Sequence, residues 1–194
     1  EAQYHPPAFF EIDSVNNSNL DVAVKVSALG NVDIKGTFLN LDSTKSSFNG
    51  EAIISVFDAD RSVELKEMNY TITQAGGLLF RGRVTVANGK FDASFTVPKD
   101  ISYQNSNGKI VAYAFNNTTD GVGYTDKIIV GGTDTTNTND GNGPAIEIYF
   151  DDLAFESSYL VNSNFTLLAK LEDETGINTT GSGVGHNLEA VIND

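Results

Sequence analysis

The chain has 194 residues, with 26 acidic against 12 basic side chains and a formal net charge of −14. Such a surface repels phosphates, which argues against nucleic acid and anionic lipid as partners. Cysteine is absent, so disulfides, thiolate nucleophiles and thiolate metal sites are excluded together.

Hydrophobic residues make up 40% of the chain and charged residues 20%, enough for a real core and too little charge for a disordered tail. No apolar run approaches membrane-spanning length, so no direct membrane insertion is expected. The abrupt start at Glu1 and a strand-like run ending at Asp194 give the expectation of a fragment of something longer.

Residues 1–8 contain Pro6-Pro7 and no pattern, and His5 beside them reads as solvent-exposed rather than as a ligand. Phe9, Phe10 and Ile12 form a short apolar run. Leu20, Val22, Val24 and Val26 then alternate with polar neighbours, which predicts a strand. After a break at Gly30-Asn31, Val32 and Ile34 face inward and Gly36 marks a bulge or a close approach. Residues 41–50 read as a turn region. Ala52, Ile54 and Val56 alternate with Ile53 and Phe57, and this double-sided apolar character predicts a central strand. The run RSVELKEMNYTIT has a helix-like start by composition and strand formers in its second half.

Residues 78–100, LLFRGRVTVANGKFDASFTVPKD, organise the first domain. Two alternating runs flank Asn88-Gly89, a dipeptide that favours a type I′ turn because both central residues need φ > 0. The expectation is a half-buried antiparallel hairpin, with Phe91, Ala93, Phe95 and Val97 on one face and Pro98 ending the ladder. Another strand follows, with Ile110, Ala112 and Ala114 opposite Val111, Tyr113 and Phe115. NNTTDGVG reads as a turn and YTDKIIVGG as the domain's last strand.

Short strands at close intervals with Gly/Asn/Asp turns read as all-β, specifically an immunoglobulin-like β-sandwich over residues 1–132. Residues 133–143 hold no apolar side chain and read as a flexible linker. Asp134, Asn137, Asn139 and Asp140 faintly resemble a calcium loop, but the terminal bidentate Glu is missing and linker is the better reading. Residues 144–194 offer three strand-like runs, at 145–150, 165–171 and 188–193. They read as a second, truncated immunoglobulin-like unit whose Phe155, Phe165, Leu167 and Leu171 stay partly exposed, with self-association through it as a consequence.

Chemistry is sparse. The string from Gly181 to His186 fails as a nucleophile elbow, because Thr180 and Val184 stand where glycines are needed. It also fails as a dinucleotide loop, so Ser182 and His186 are read as part of a loop. Asp151, Asp152, Glu172, Asp173 and Glu174 would chelate Ca²⁺ if their strand ends shared one pole; a solvated acidic cluster is the preferred reading. Tyr4, Tyr103, Tyr113, Tyr124 and Tyr149 would supply a sugar-stacking platform if they shared one face, but core or corner tyrosines fit a sandwich better. No catalytic, cofactor-binding or metal residue is assigned, and no cofactor is expected.

The strings FNGEAIISVFD, LLFRGRVTVANGKFDASFTVPKDISYQNSNGKIVAYAFNN and DGVGYTDKIIVGG, followed by PAIEIYFDD and FTLLAKLEDETGINTTGSGVGHNLEAVIND, resemble the region after the catalytic domain in type IX secretion sortases. These are gingipain-like cysteine peptidases of a bacterial outer-membrane export system. The resemblance spans most of residues 32–194 in order, and its first thirty residues match weakly. It implies a secreted, cell-surface location at the outer membrane. It also implies a preceding peptidase domain and export-machinery or surface proteins as partners. The family's catalytic Cys has no counterpart here, and neither His5 nor His186 sits in a matching motif, so no catalytic residue is carried over. A non-catalytic accessory region is therefore expected. The alternative is a binding module of an unrelated surface adhesin or polysaccharide-degrading protein.

Overall fold

Period-two alternation becomes strand wherever one face can be buried, and most of the chain satisfies that condition. The computed structural model describes residues 8–40, 42–136, 142–154, 160–161, 163–173, 177 and 189–191. Every regular element among them is a strand, so the protein is all-β. In chain order these are β1 (Ala8–Val15), β2 (Ser18–Asn19), β3 (Val24–Ala28), β4 (Asn31–Leu39), β5 (Gly50–Phe57), β6 (Arg61–Leu65) and β7 (Tyr70–Gln74). They continue with β8 (Leu78–Val86), β9 (Lys90–Thr96), β10 (Ser106–Phe115), β11 (Asp120–Thr133), β12 (Ala145–Phe150) and β13 (Leu167–Glu172).

One nine-stranded sheet runs in the order β8-β5-β10-β11-β1-β4-β9, with β2 beside β1 and β3 beside β11. It doubles back so that both halves feed one core. Ala52, Ile54, Val56, Ile110, Ala112 and Ala114 meet Phe10, Val32, Ile34, Phe38, Phe91 and Ala93 in a single buried cluster. Phe10 stacks on Phe91 at 4.8 Å and meets Phe38 edge-on at 5.8 Å. Each such fully buried side chain contributes roughly 1.5–3 kcal/mol. The arrangement is a β-sandwich. β5 is central, between β8 and β10, as its double-sided apolar character predicts. Gly36 is a close approach: a Cβ there would stand 2.1 Å from Phe91 Cε1 and 2.5 Å from the Glu11 carbonyl. The pairing of β1 with β4 slips between Ile12, opposite Gly36, and Ser14, opposite Lys35, which makes Asp13 the bulged residue.

The organising hairpin is only half as expected. Asn88 (φ 50°) and Gly89 (φ 72°) adopt the type I′ conformation, and Ala87 and Lys90 exchange backbone hydrogen bonds of 2.9 and 3.0 Å. Beyond that bridge the ladder stops. β8 pairs with β5, whereas β9 pairs with β4. The turn is a corner joining the two ends of the sheet. A two-residue turn fixes only its own neighbourhood, and each flanking strand gains a longer ladder elsewhere.

Other expectations need smaller corrections. Residues 20–23 form a turn, so the strand begins at Val24, and Val22 is exposed. No helix forms in RSVELKEMNYTIT: Val63 pairs with Ile72 and Leu65 with Tyr70 in a hairpin outside the main sheet. Asp120–Gly123 belong to strand rather than turn. Phe48, within the turn region, is buried and stacks on Phe38 at 4.1 Å.

β12 and β13 form a separate two-stranded antiparallel ribbon. Ile146, Ile148 and Phe150 lie across from Leu171, Ala169 and Leu167 on one face. Glu147, Tyr149 and Lys170 occupy the other, where Lys170 reaches Glu147 at 3.3 Å and Glu172 at 3.4 Å. Phe165, Ile146 and Ile148 are exposed, and Leu167 and Leu171 half-buried. Phe155 lies outside the described residues, as do residues 137–141 of the linker reading and residues 188, 192 and 193 of the strand expected at 188–193; Thr133, the first residue of that linker reading, ends β11, and Glu189–Val191 are not strand.

Candidate functional site

Alternation that buries Ile110, Ala112 and Ala114 must turn Val111, Tyr113 and Phe115 outward. The register then extends this outward set across the sheet. Tyr113 lies opposite Ile53 on one side and Val122 on the other. Val122 is next to Phe9, and Phe9 to Leu39. The result is an apolar row over five strands, in which Phe9 is 53% and Val122 57% exposed. Exposed Tyr124 sits in the neighbouring row, opposite Val111. Sandwich exteriors are ordinarily polar, so a continuous apolar row of this kind is a candidate binding surface.

Polar contacts fix two rings of this outward face, Tyr113 in the row and Phe115 beside it. The Tyr113 phenol donates to Asp120 at 2.9 Å, and this hydrogen bond to a carboxylate holds the phenol's pKa above its ordinary value. The Arg83 guanidinium lies 5.8 Å from the Phe115 ring centroid and pairs with Glu51 at 3.1 Å. Tyr113 and Phe115 stack with centroids 5.6 Å apart.

A second feature is the β6–β7 hairpin, whose Met68 and Tyr70 are exposed. Its base is tied down by Asp58, only 1% exposed. The Asp58 carboxylate accepts the Ala59 N–H at 2.7 Å and the Ser102 N–H at 2.5 Å, and faces Arg61 at 3.5 Å. The carboxylate satisfies buried backbone donors that would otherwise be orphaned, a structural use of charge.

The sequence-derived site residues fare unevenly. His5, Ser182, His186, Tyr4, Glu174, Asn137, Asn139 and Asp140 lie outside the described residues. Asp134 accepts from the Thr136 hydroxyl and N–H, and these bonds, the hydroxyl's first, hold its carboxyl below the usual range. The acids of the second unit do not share a pole. Glu172 pairs with Ala145, whereas Asp151 and Asp152 follow Phe150, so they sit at opposite ends of an antiparallel ribbon roughly 17 Å long. Among the described residues, no three His, Asp or Glu side chains cluster to hold a metal. The tyrosines are not core residues: Tyr103, Tyr113 and Tyr124 are exposed. Tyr103 is a corner, its hydroxyl donating to the Lys99 carbonyl at 2.7 Å.

The fold and this surface define a β-sandwich with an outward aromatic face and offer binding chemistry. The chain is similar to PorU from Porphyromonas gingivalis, solved in a dimeric latent form, at 28% identity and a TM-score of 0.73 over 93% of this chain. It spans 18% of PorU's length. Spo0M, a sporulation control protein from Bacillus subtilis, matches 66% of this chain and 51% of its own, at 11% identity and a TM-score of 0.44, too loosely to bear on function. No family model and no curated protein matches the chain. No helix among the described residues is long and apolar enough to cross a membrane.

Proposed function

We propose that this chain is a non-catalytic accessory region of a sortase-like cysteine peptidase of type IX secretion, exported to the bacterial cell surface. The observation that carries the reading is the likeness to PorU, which extends over 93% of the chain, both the sandwich and the ribbon. The order-preserving sequence resemblance to the region after the catalytic domain supports the same role. The parent would process exported proteins with a cysteine in its preceding peptidase domain. This region, which has no Cys, would position that domain or contact export and surface proteins. Self-association through the ribbon belongs to the same reading. Its support is the uncovered apolar face, with Ile146 61% exposed, together with the dimeric state of PorU.

The parent's identity is tested on the native polypeptide. Cells producing this sequence are treated with a thiol-directed peptidase probe, and the polypeptide is captured through an antibody to residues 8–133 and read by mass spectrometry. The reading expects a longer chain with a probe-labelled cysteine before Glu1. A chain carrying only further sandwich repeats there overturns it.

A further inference from the structure

β10 ends in a polar turn directly after its two outward rings. Asn116 builds that turn: its Oδ1 accepts the N–H groups of Thr118 and Thr119 at 2.9 and 2.8 Å and the Thr118 hydroxyl at 3.1 Å. Its Nδ2 donates to the Asn49 carbonyl at 3.0 Å, anchoring the turn to the segment before β5. Between the rings and the turn lies an open depression of about 310 Å³. It is lined by Tyr113 and Phe115 together with Asn117, Thr118, Thr119 and Asp120.

The rings and the turn are held in place before any ligand arrives. Asp120 fixes the Tyr113 ring through the phenol, and the cation–π contact with Arg83, itself paired to Glu51, fixes Phe115. Among the described residues, only Oδ2 of Asp120 is engaged by a side chain, and the exposed Asn117 amide makes no side-chain hydrogen bond. The site therefore offers an aromatic face beside a carboxylate oxygen, an amide and hydroxyls.

Those groups match one ligand chemistry closely. A pyranose ring carries an apolar C–H face that stacks on an aromatic ring, and a belt of hydroxyls that donate to carboxylates and exchange hydrogen bonds with amides. A purely apolar ligand would leave the polar side unpaired. A phosphorylated ligand would meet Asp120 and a chain of net charge −14. We infer that the Tyr113–Phe115 depression is a glycan-binding site, taking a pyranose against Tyr113 with its hydroxyls on Asp120 and Asn117. This inference stands apart from the proposed parent, because it uses only the surface of the sandwich.

The test is a titration of the 194-residue chain, followed by ¹H–¹⁵N NMR, with cellohexaose, mannohexaose and chitohexaose in turn. A shallow site with few contacting atoms predicts a Kd on the order of 1 mM. At least one sugar should shift the amides of residues 113–120 and the Arg83 side chain. Tyr113→Ala, an outward substitution that leaves the dispersed spectrum intact, should weaken that binding about tenfold or more, and Tyr113→Phe by only about threefold. Asp120→Ala should weaken it too. Shifts from none of the three sugars, shifts confined to another part of the chain, or a Kd unchanged by Tyr113→Ala would overturn the assignment. A proline-rich peptide that shifts these amides when no sugar does would equally overturn it and mark the rings as a peptide groove.

Discussion

Phe80 and Phe95 lie on strands at opposite ends of the sheet order, yet their rings stack with centroids 4.4 Å apart and planes 11° from parallel. Side-chain stacking thus holds together two strands that share no ladder beyond the Ala87–Lys90 bridge. A double-mutant cycle with Phe80→Ala and Phe95→Ala, read by denaturant unfolding, should give a coupling of about 0.5–1.5 kcal/mol. Additivity of the two substitutions would mean that the sandwich is open along this seam.

Gly89 sits at φ 72°, and a Cβ there would stand 2.1 Å from the Ser46 carbonyl oxygen. Its own N–H donates to the Phe48 carbonyl at 2.7 Å. Gly89→Val therefore meets both backbone strain and a collision with main chain, and should cost about 2–4 kcal/mol. Thermal melting should drop for the nine-stranded sheet as a unit. An unchanged melt would contradict the corner geometry.

Glu147 accepts from the Tyr149 phenol at 3.0 Å and pairs with Lys170. The Tyr149 hydrogen bond first, then Lys170, lowers its carboxyl below the ordinary glutamate value. A folded-state pKa below the unfolded one means that this contribution is full above the ordinary glutamate pKa and is lost as pH falls through the folded value. A carboxyl-carbon NMR titration should place Glu147 below a free glutamate, and Tyr149→Phe should move it back up. An unmoved titration in that variant would show that the phenol contact is not kept in solution.

The ribbon's uncovered face supplies another check. Ile146→Asp puts a charge among Ile148, Leu171 and their neighbours without touching the sandwich core. Sedimentation velocity should show the wild-type chain self-associating with concentration and the variant monomeric. A wild-type chain that stays monomeric throughout would remove self-association from the account.

Strand existence was legible where the alternating positions are buried, as in Val32–Ile34 or Ala52–Val56, but not at Leu20 and Val22, whose equally regular alternation falls in a turn. Partner choice was not. Asn88-Gly89 announces a turn, but whether the following strands pair depends on β5 and β4, which lie far away in sequence. The same nonlocality hid the aromatic face: Tyr113 and Phe115 could be placed opposite Ala112, but that side meets solvent only because no strand among the described residues packs over it. Asp151 and Glu172 were readable as strand-end acids. Their separation follows from antiparallel register, which no local pattern states. Val63 and Leu65 alternate too briefly to outweigh the helix-forming Glu64, Lys66 and Glu67 around them, so the hairpin's first strand went unread.

Under the proposed function, this region is required by a cysteine peptidase without taking part in its chemistry. The direct measurement is processing of an exported protein's sorting signal in cells whose parent chain lacks residues 8–133, beside cells whose parent lacks only its reactive cysteine. Both should fail to process, the deletion variant should still react with a thiol-directed probe, and the pure 194-residue chain should hydrolyse nothing. Normal processing after the deletion, or turnover by the pure chain that survives removal of trace proteases, would contradict the claim.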